Sequence, residues 1–160
     1  MAIITEEDLN QKELLHEKLK SNNQELEALT HKRDRLIHEQ SGLLLSKLEE
    51  MHPIMESLQT NRYGFTHLSI NFITSRGPIL DYYMESDYLY VYDFKEKQIK
   101  RFNIENSEKA LTIPAWKFIE VANLKNVSEG LNHLLTIQNK MIHELKNSNQ
   151  KRLNWIDEIK

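Results

Sequence analysis

The sequence predicts an α+β fold: long helices at both ends of the chain and a small antiparallel sheet between them. Three observations predict it. Glycine and proline are scarce, four and three among 160 residues, which favours long helices over a loop-rich sandwich. Leucines recur near heptad spacing through the first third of the chain. Between Phe65 and Ile104 the apolar residues alternate instead, and turn residues interrupt them every few positions, as in a strand meander.

The first block, residues 1–60, reads as a helical arm with coiled-coil character. Thr5 followed by Asp8 marks a helix start, and Glu6, Glu7 and Asp8 suit the positive end of the helix dipole. Leu15, Leu19, Leu26, Leu29 and Leu36 form one stripe, which resumes after a one-residue slip as Ile37, Leu44, Leu48, Met51, Met55 and Leu58. Asn22 and Arg33 interrupt the first seam and Ser41 the second. Polar seam residues cost stability but fix register or oligomer state. One continuous helix from Glu6 to Met51 would be about 70 Å long. "SNNQE", residues 21–25, offers a helical hairpin instead, with Asn22 and Glu25 as a fresh capping pair. The single helix is the preferred reading, and Pro53 should kink or restart it.

The second block, residues 61–113, reads as a meander of four strands. Phe65–Thr74 forms the first strand, with Leu68, Ile70 and Phe72 inward and His67, Ser69 and Asn71 outward. After the turn "SRGP", Leu80, Tyr82 and Met84 face the core while Asp81, Tyr83 and Glu85 oppose them. "YLYVYDF" sends Leu89 and Val91 inward and Tyr88, Tyr90, Tyr92 and Phe94 outward. "IKRFNI" completes the sheet, with Phe102 and Ile104 inward. In the third block, residues 114–160, Pro114 opens a short helix carrying Trp116, Phe118 and Ile119. Ser128 caps a long final helix through Leu131, Leu134, Leu135, Met141, Ile142 and Leu145, which packs on the arm or the sheet. "KNSNQKR", residues 146–152, is a polar weak point in it.

Two sets of contact residues emerge. Five of the six tyrosines lie between Ile79 and Phe94. Tyr83, Tyr88, Tyr90 and Tyr92, with Arg101, form a candidate partner-binding face, since tyrosine brings contact area at low entropic cost. Strand packing accounts for the same tyrosines without any partner. Leu15, Leu19, Leu26, Leu29, Leu36, Leu44 and Leu48 form a candidate oligomerisation stripe. A helix without tertiary support is marginal in water, so the stripe calls for a partner, and a homodimer is expected. A different protein would dock on the tyrosine face or a helical groove.

Other chemistry is sparse. Residues 1–60 carry seven basic and twelve acidic side chains, a balance of −5, which disfavours nucleic acid there. The weaker alternative is a nucleic-acid-binding accessory protein that stacks bases on the tyrosine-rich sheet and uses the basic turn of Lys95, Lys97, Lys100 and Arg101. Against it, Asp81, Asp87 and Asp93 lie beside the tyrosines, no RNP-type signature occurs, and lysines at hairpin tips more often discourage edge pairing. Cysteine is absent. Glu13/His16 and Glu49/His52 match the spacing of di-iron ligands but lack the four-helix setting that such a site requires. Ser69, Ser86 and His67 make an imaginable catalytic set that nothing in the sequence positions. No nucleotide loop, zinc motif or nucleophile elbow is found. The expectation is therefore a non-catalytic adaptor or inhibitor with no cofactor and no metal. No run suits a bilayer and the start is too briefly apolar for a signal peptide, so a cytoplasmic setting is expected. Abundant Asn, Lys and Ile suit an AT-rich genome, and a phage-encoded regulator of a host protein fits that composition.

Overall fold

The computed structural model describes residues 1–106 and 108–160. Among them are the helices α1 (Lys12–Glu50), α2 (His52–Thr60), α3 (Ala115–Val121) and α4 (Leu124–Ile159). The strands are β1 (Phe65–His67), β2 (Ile70–Thr74), β3 (Ile79–Tyr83), β4 (Tyr88–Asp93), β5 (Gln98–Asn103) and β6 (Ala110–Ile113). The fold is α+β, with a long helix at each end. The chain divides into two compact units, residues 1–43 and 44–160.

The first unit is most of α1 and the segment before it. α1 is unbroken over 39 residues, about 58 Å at roughly 1.5 Å per residue. It runs straight through Asn22, so the hairpin alternative does not form. No proline or glycine falls between Lys12 and Ser41, and leucine, glutamate, lysine and glutamine supply high helix propensity. The Thr5–Asp8 signal is real, but it opens a short 3-10 turn, Glu6–Asn10, in which the Asp8 carboxylate accepts from the Thr5 N–H and hydroxyl. The α-helix itself starts six residues later than Glu6, at Lys12.

The second unit begins with Leu44. Leu44 and Leu48 belong to its buried core, together with Met51, Met55 and Leu58. Pro53 restarts the helix as expected, occupying the first turn of α2, where its missing N–H costs nothing.

The sheet departs from expectation in two ways. Phe65–Thr74 is not one strand: it folds on itself as the antiparallel hairpin β1–β2, with His67 opposite Ile70. Leu68, expected in the core, lies in the turn and is exposed, while His67, expected outside, is buried. The second sheet is the antiparallel meander β3–β4–β5–β6. Its fourth strand, β6, comes from "ALTI", a stretch of the second block that none of the four expected strands includes. The register shifts between Ile79 and Asp81, and beyond it Asp81 is fully buried and Met84 exposed. Ile79, Leu89, Val91 and Phe102 form one core cluster, against which Ile70 and Phe72 of β2 pack.

The short helix α3 follows Pro114 directly, with the proline as its N-cap rather than its first helical residue. α4 starts four residues before Ser128, with Asn123 as its cap: the Asn123 side chain accepts hydrogen bonds from the Lys125 and Asn126 N–H groups. "KNSNQKR" leaves the helix intact, and α4 extends to Ile159. The helix packs against β1 and β3 by bringing Gly130 close to the strand backbone.

Candidate interaction surface

The leucine stripe divides where the two units meet in sequence. In the first unit Leu15 is half-buried, whereas Leu19, Leu26, Leu29, Leu36 and Leu43 are 42, 61, 55, 45 and 66% exposed. The second part of this face forms a groove of about 660 Å³ lined by Leu29, Lys32, Arg33, Leu36, Ile37 and Leu43, among others. Leu44 and Leu48, assigned to the same stripe, are spent in the core of the second unit. They are 7 and 0% exposed and are not presented to a partner in this arrangement.

Residues 1–11 return along the first turns of α1 as a strap. The Asn22 amide makes two 2.8 Å hydrogen bonds with Ala2: its Nδ2 donates to the Ala2 carbonyl, and its Oδ1 accepts from the Ala2 N–H. The Lys18 ammonium donates to both oxygens of Asp8, at 2.9 and 2.8 Å, and to the Ile3 carbonyl. That hydrogen bond from Lys18, followed by one from the Thr5 N–H, holds the Asp8 carboxyl below its ordinary value. Asn22, a polar interruption in the seam, is thus matched by the backbone of its own chain.

The tyrosine face is largely covered. Tyr90 and Tyr92 are 6 and 2% exposed. The Tyr90 ring lies 5.1 Å from Phe118 of α3 and 6.0 Å from Tyr83. Tyr92 sits near Glu49 and Lys97, which themselves form a 2.9 Å ion pair. Burial first, and then the Glu49 carboxylate, push the Tyr92 phenol up. Phe94 on the same face meets His52 and Phe65. Tyr83 and Tyr88 remain at the margin: the Tyr83 hydroxyl donates to the Val121 carbonyl, and the Arg101 guanidinium lies 4.9 Å above the Tyr88 ring. The structure therefore separates the five residues of this predicted face into two buried tyrosines and an accessible edge of Tyr83, Tyr88 and Arg101.

Three buried polar residues, Asp81, His67 and His133, lie outside the two predicted contact sets. Asp81 accepts hydrogen bonds from the Tyr82 and Asn123 N–H groups and from Asn126 Nδ2, at 2.8, 2.8 and 2.9 Å. It docks the start of α4 on β3. His67 Nδ1 accepts from the Ser69 N–H, so its proton resides on Nε2, which donates to the Asn126 carbonyl at 2.9 Å. His133 Nε2 lies 2.7 Å from Thr66 Oγ1, and its Nδ1 is buried with no hydrogen-bond partner among the described residues. Burial, aided by Lys140 and His67, lowers the His133 pKa. This ring lines a cavity of about 260 Å³ with Thr66, Ile137, Lys140 and Glu144. The hydroxyl–imidazole contact has the reach of a nucleophile and base, but no carboxylate meets Nδ1 to orient the ring. Ser69 reaches His67 only through its N–H, and its hydroxyl donates to Glu129. The spacing of Asp81 to the Asn123–Asn126 pair gave no signal in sequence, because contacts across some forty residues leave no periodicity.

Among the described residues no cluster of three or more His, Asp or Glu could hold a metal ion, and no helix is long and apolar enough to cross a membrane. The chain matches no family model, no curated protein and no solved structure.

Proposed function

We propose that this protein is a non-catalytic protein-interaction module, an adaptor or inhibitor, that assembles with a second copy of itself through the first three-quarters of α1. The exposed leucines Leu19, Leu26, Leu29, Leu36 and Leu43 carry the reading. Scattered exposed leucines are ordinary on protein surfaces, but a contiguous apolar stripe marks an interaction face. Its heptad spacing is the pattern another helix reads. These leucines are 42–66% exposed, so sealing each against a partner is worth about half of the roughly 1.5–3 kcal/mol of full burial. That gain counts twice in a symmetric pair and works against the cost of association. In such an assembly the accessible edge of Tyr83, Tyr88 and Arg101 is the surface offered to a different protein.

Light scattering on the full chain tests the proposal. The expected mass is twice that of one chain, and Leu26→Gln with Leu29→Gln returns it to a single chain while the sheet signal in circular dichroism is retained. A single-chain mass at every concentration overturns it.

A further inference from the structure

We infer that the two copies pair through α1 as antiparallel helices, in the register that sets Leu26 against Leu29 of the second copy. The inference rests on the self-assembly proposed above and specifies its geometry. Along α1 the seam runs Leu15, Leu19, Asn22, Leu26, Leu29, Arg33, Leu36, Gln40, Leu43, with alternating steps of four and three. One edge of this seam carries Lys18, Glu25, Lys32 and Glu39, seven apart and alternating in sign. The other edge carries His16, Asn23, Thr30 and Ile37.

The direction follows from how edges meet. In a parallel pair each edge faces the opposite edge of its partner. Lys18, Glu25 and Lys32 would then face Asn23, Thr30 and Ile37, which form no ion pairs, and Arg33 would meet Arg33 inside the seam. In an antiparallel pair the charged edge faces itself, reversed. Glu25 then meets Lys32 of the second copy and Lys18 meets Glu39, each twice by symmetry, giving four opposite-charge pairs.

The register follows from the alternation of sign. Sliding one copy by a heptad in one direction puts Lys32 on Lys32 and Glu25 on Glu39; in the other it puts Glu25 on Glu25 and Lys18 on Lys32. Both repel. In the attractive register Leu19 packs on Leu36 and Leu26 on Leu29, while Asn22 meets Arg33, so leucine finds leucine and polar finds polar in the central layers. A parallel pair would stack more leucines, but it would hold the two Arg33 charges together in a partly desolvated seam, where like charges are strongly unfavourable.

The strap bears on the same edge. Asp8, Ala2 and the Met1 ammonium hold Lys18, Asn22 and Glu25, the groups that the second copy engages through Glu39, Arg33 and Lys32. The strap and the second copy therefore compete for them.

Cysteine placement tests the geometry cleanly, since the chain has none of its own. Full-length Leu19→Cys and Leu36→Cys proteins, one carrying a size tag, are mixed, allowed to exchange and mildly oxidised. The mixed disulfide is expected to exceed both like disulfides about tenfold. Lys32→Glu should weaken assembly about tenfold by placing it against Glu25 of the second copy, and adding Glu25→Lys should restore it to within about threefold. A predominant Leu19→Cys homodisulfide with a dimeric mass overturns the antiparallel inference and leaves self-assembly standing. A single-chain mass by light scattering, with no disulfide of any kind, overturns both.

Discussion

The same substitution, glycine to alanine, should have opposite signs at two helical positions. In either helix alanine gains about 1 kcal/mol over glycine from backbone entropy and propensity. At Gly42 a new Cβ meets nothing within 4 Å, so that gain should appear undiminished. At Gly130 the new Cβ would lie 2.4 Å from the Ile79 carbonyl oxygen and 3.2 Å from His67 Cδ2. The carbonyl belongs to the backbone of β3, and His67 is held by Asn126 and Ser69, so neither can give way cheaply. Overpacking of this kind costs about 1–3 kcal/mol, with this site at the upper end or beyond it. The net effect is a loss of about 2 kcal/mol. For a chain of this size that lowers Tm by about 4–8 °C, whereas Gly42→Ala raises it by about 2–4 °C. Thermal melts followed by circular dichroism measure both. A Gly130→Ala protein as stable as Gly42→Ala would refute the close docking of α4 on β3, and with it the placement of Asp81 and His67.

Four further outcomes follow from the buried polar groups, the tyrosines and the strap. Asp81→Ala orphans the Asn123 N–H and the Asn126 amide and should cost about 3 kcal/mol in urea unfolding; a cost under about 1 kcal/mol contradicts the Asp81 clamp. Tyr90→Ala should lose about 3–5 kcal/mol, while Tyr88→Ala, which forfeits chiefly its contact with Arg101, should lose no more than about 1 kcal/mol; equal losses would mean that both rings share one environment. The folded-state pKa of His133 lies below its unfolded value, so the stability tied to its neutral form is complete above about pH 6.5 and is lost as the pH falls towards the folded value. Urea midpoints should drop across that range, and His133→Gln should flatten the drop. Asp8→Ala frees Lys18 from the strap and should tighten self-assembly a few-fold by sedimentation; weaker assembly would show that the strap supports the pair rather than competing with it.

The elements with strong local signals were legible in the sequence: α1 from its heptads and lack of breakers, the restart at Pro53, the short helix after Pro114 and the turns of the meander. Much of what was missed has a common physical cause. Alternation assigns Tyr90 and Val91 to opposite faces of β4, but it cannot say that both faces are covered, because the covering groups come from α3, β2 and the end of α1, distant in sequence. Phe65–Thr74 alternates well enough to pass for one strand, and the hairpin inside it turns at Leu68 and Ser69 without glycine or proline. β6 has only four residues, too few for a period. Asn123 rather than Ser128 caps α4 through a local signal that was passed over, its own side chain accepting from the Lys125 and Asn126 N–H groups. The bond from its N–H to Asp81 is the part that no local window contains.

The leucine stripe shows how far a periodic signal reaches. Heptad spacing states only that a face must be covered, and that requirement is met differently along one helix. Leu44 and Leu48 are covered by the core of the second unit. Leu26, Leu29, Leu36 and Leu43 stay largely open to water. Charge supplies what apolar periodicity lacks. Lys18, Glu25, Lys32 and Glu39 repeat with the same seven-residue step as the leucines, but their sign changes at every step, so the repeat is effectively fourteen residues long. A fourteen-residue repeat rejects every second heptad register of an antiparallel pair, whereas the leucines alone would accept them all. In the pair proposed above, Arg33 in the seam therefore selects direction and the alternating edge selects register, and reversing one lysine tests the register more sharply than deleting any leucine.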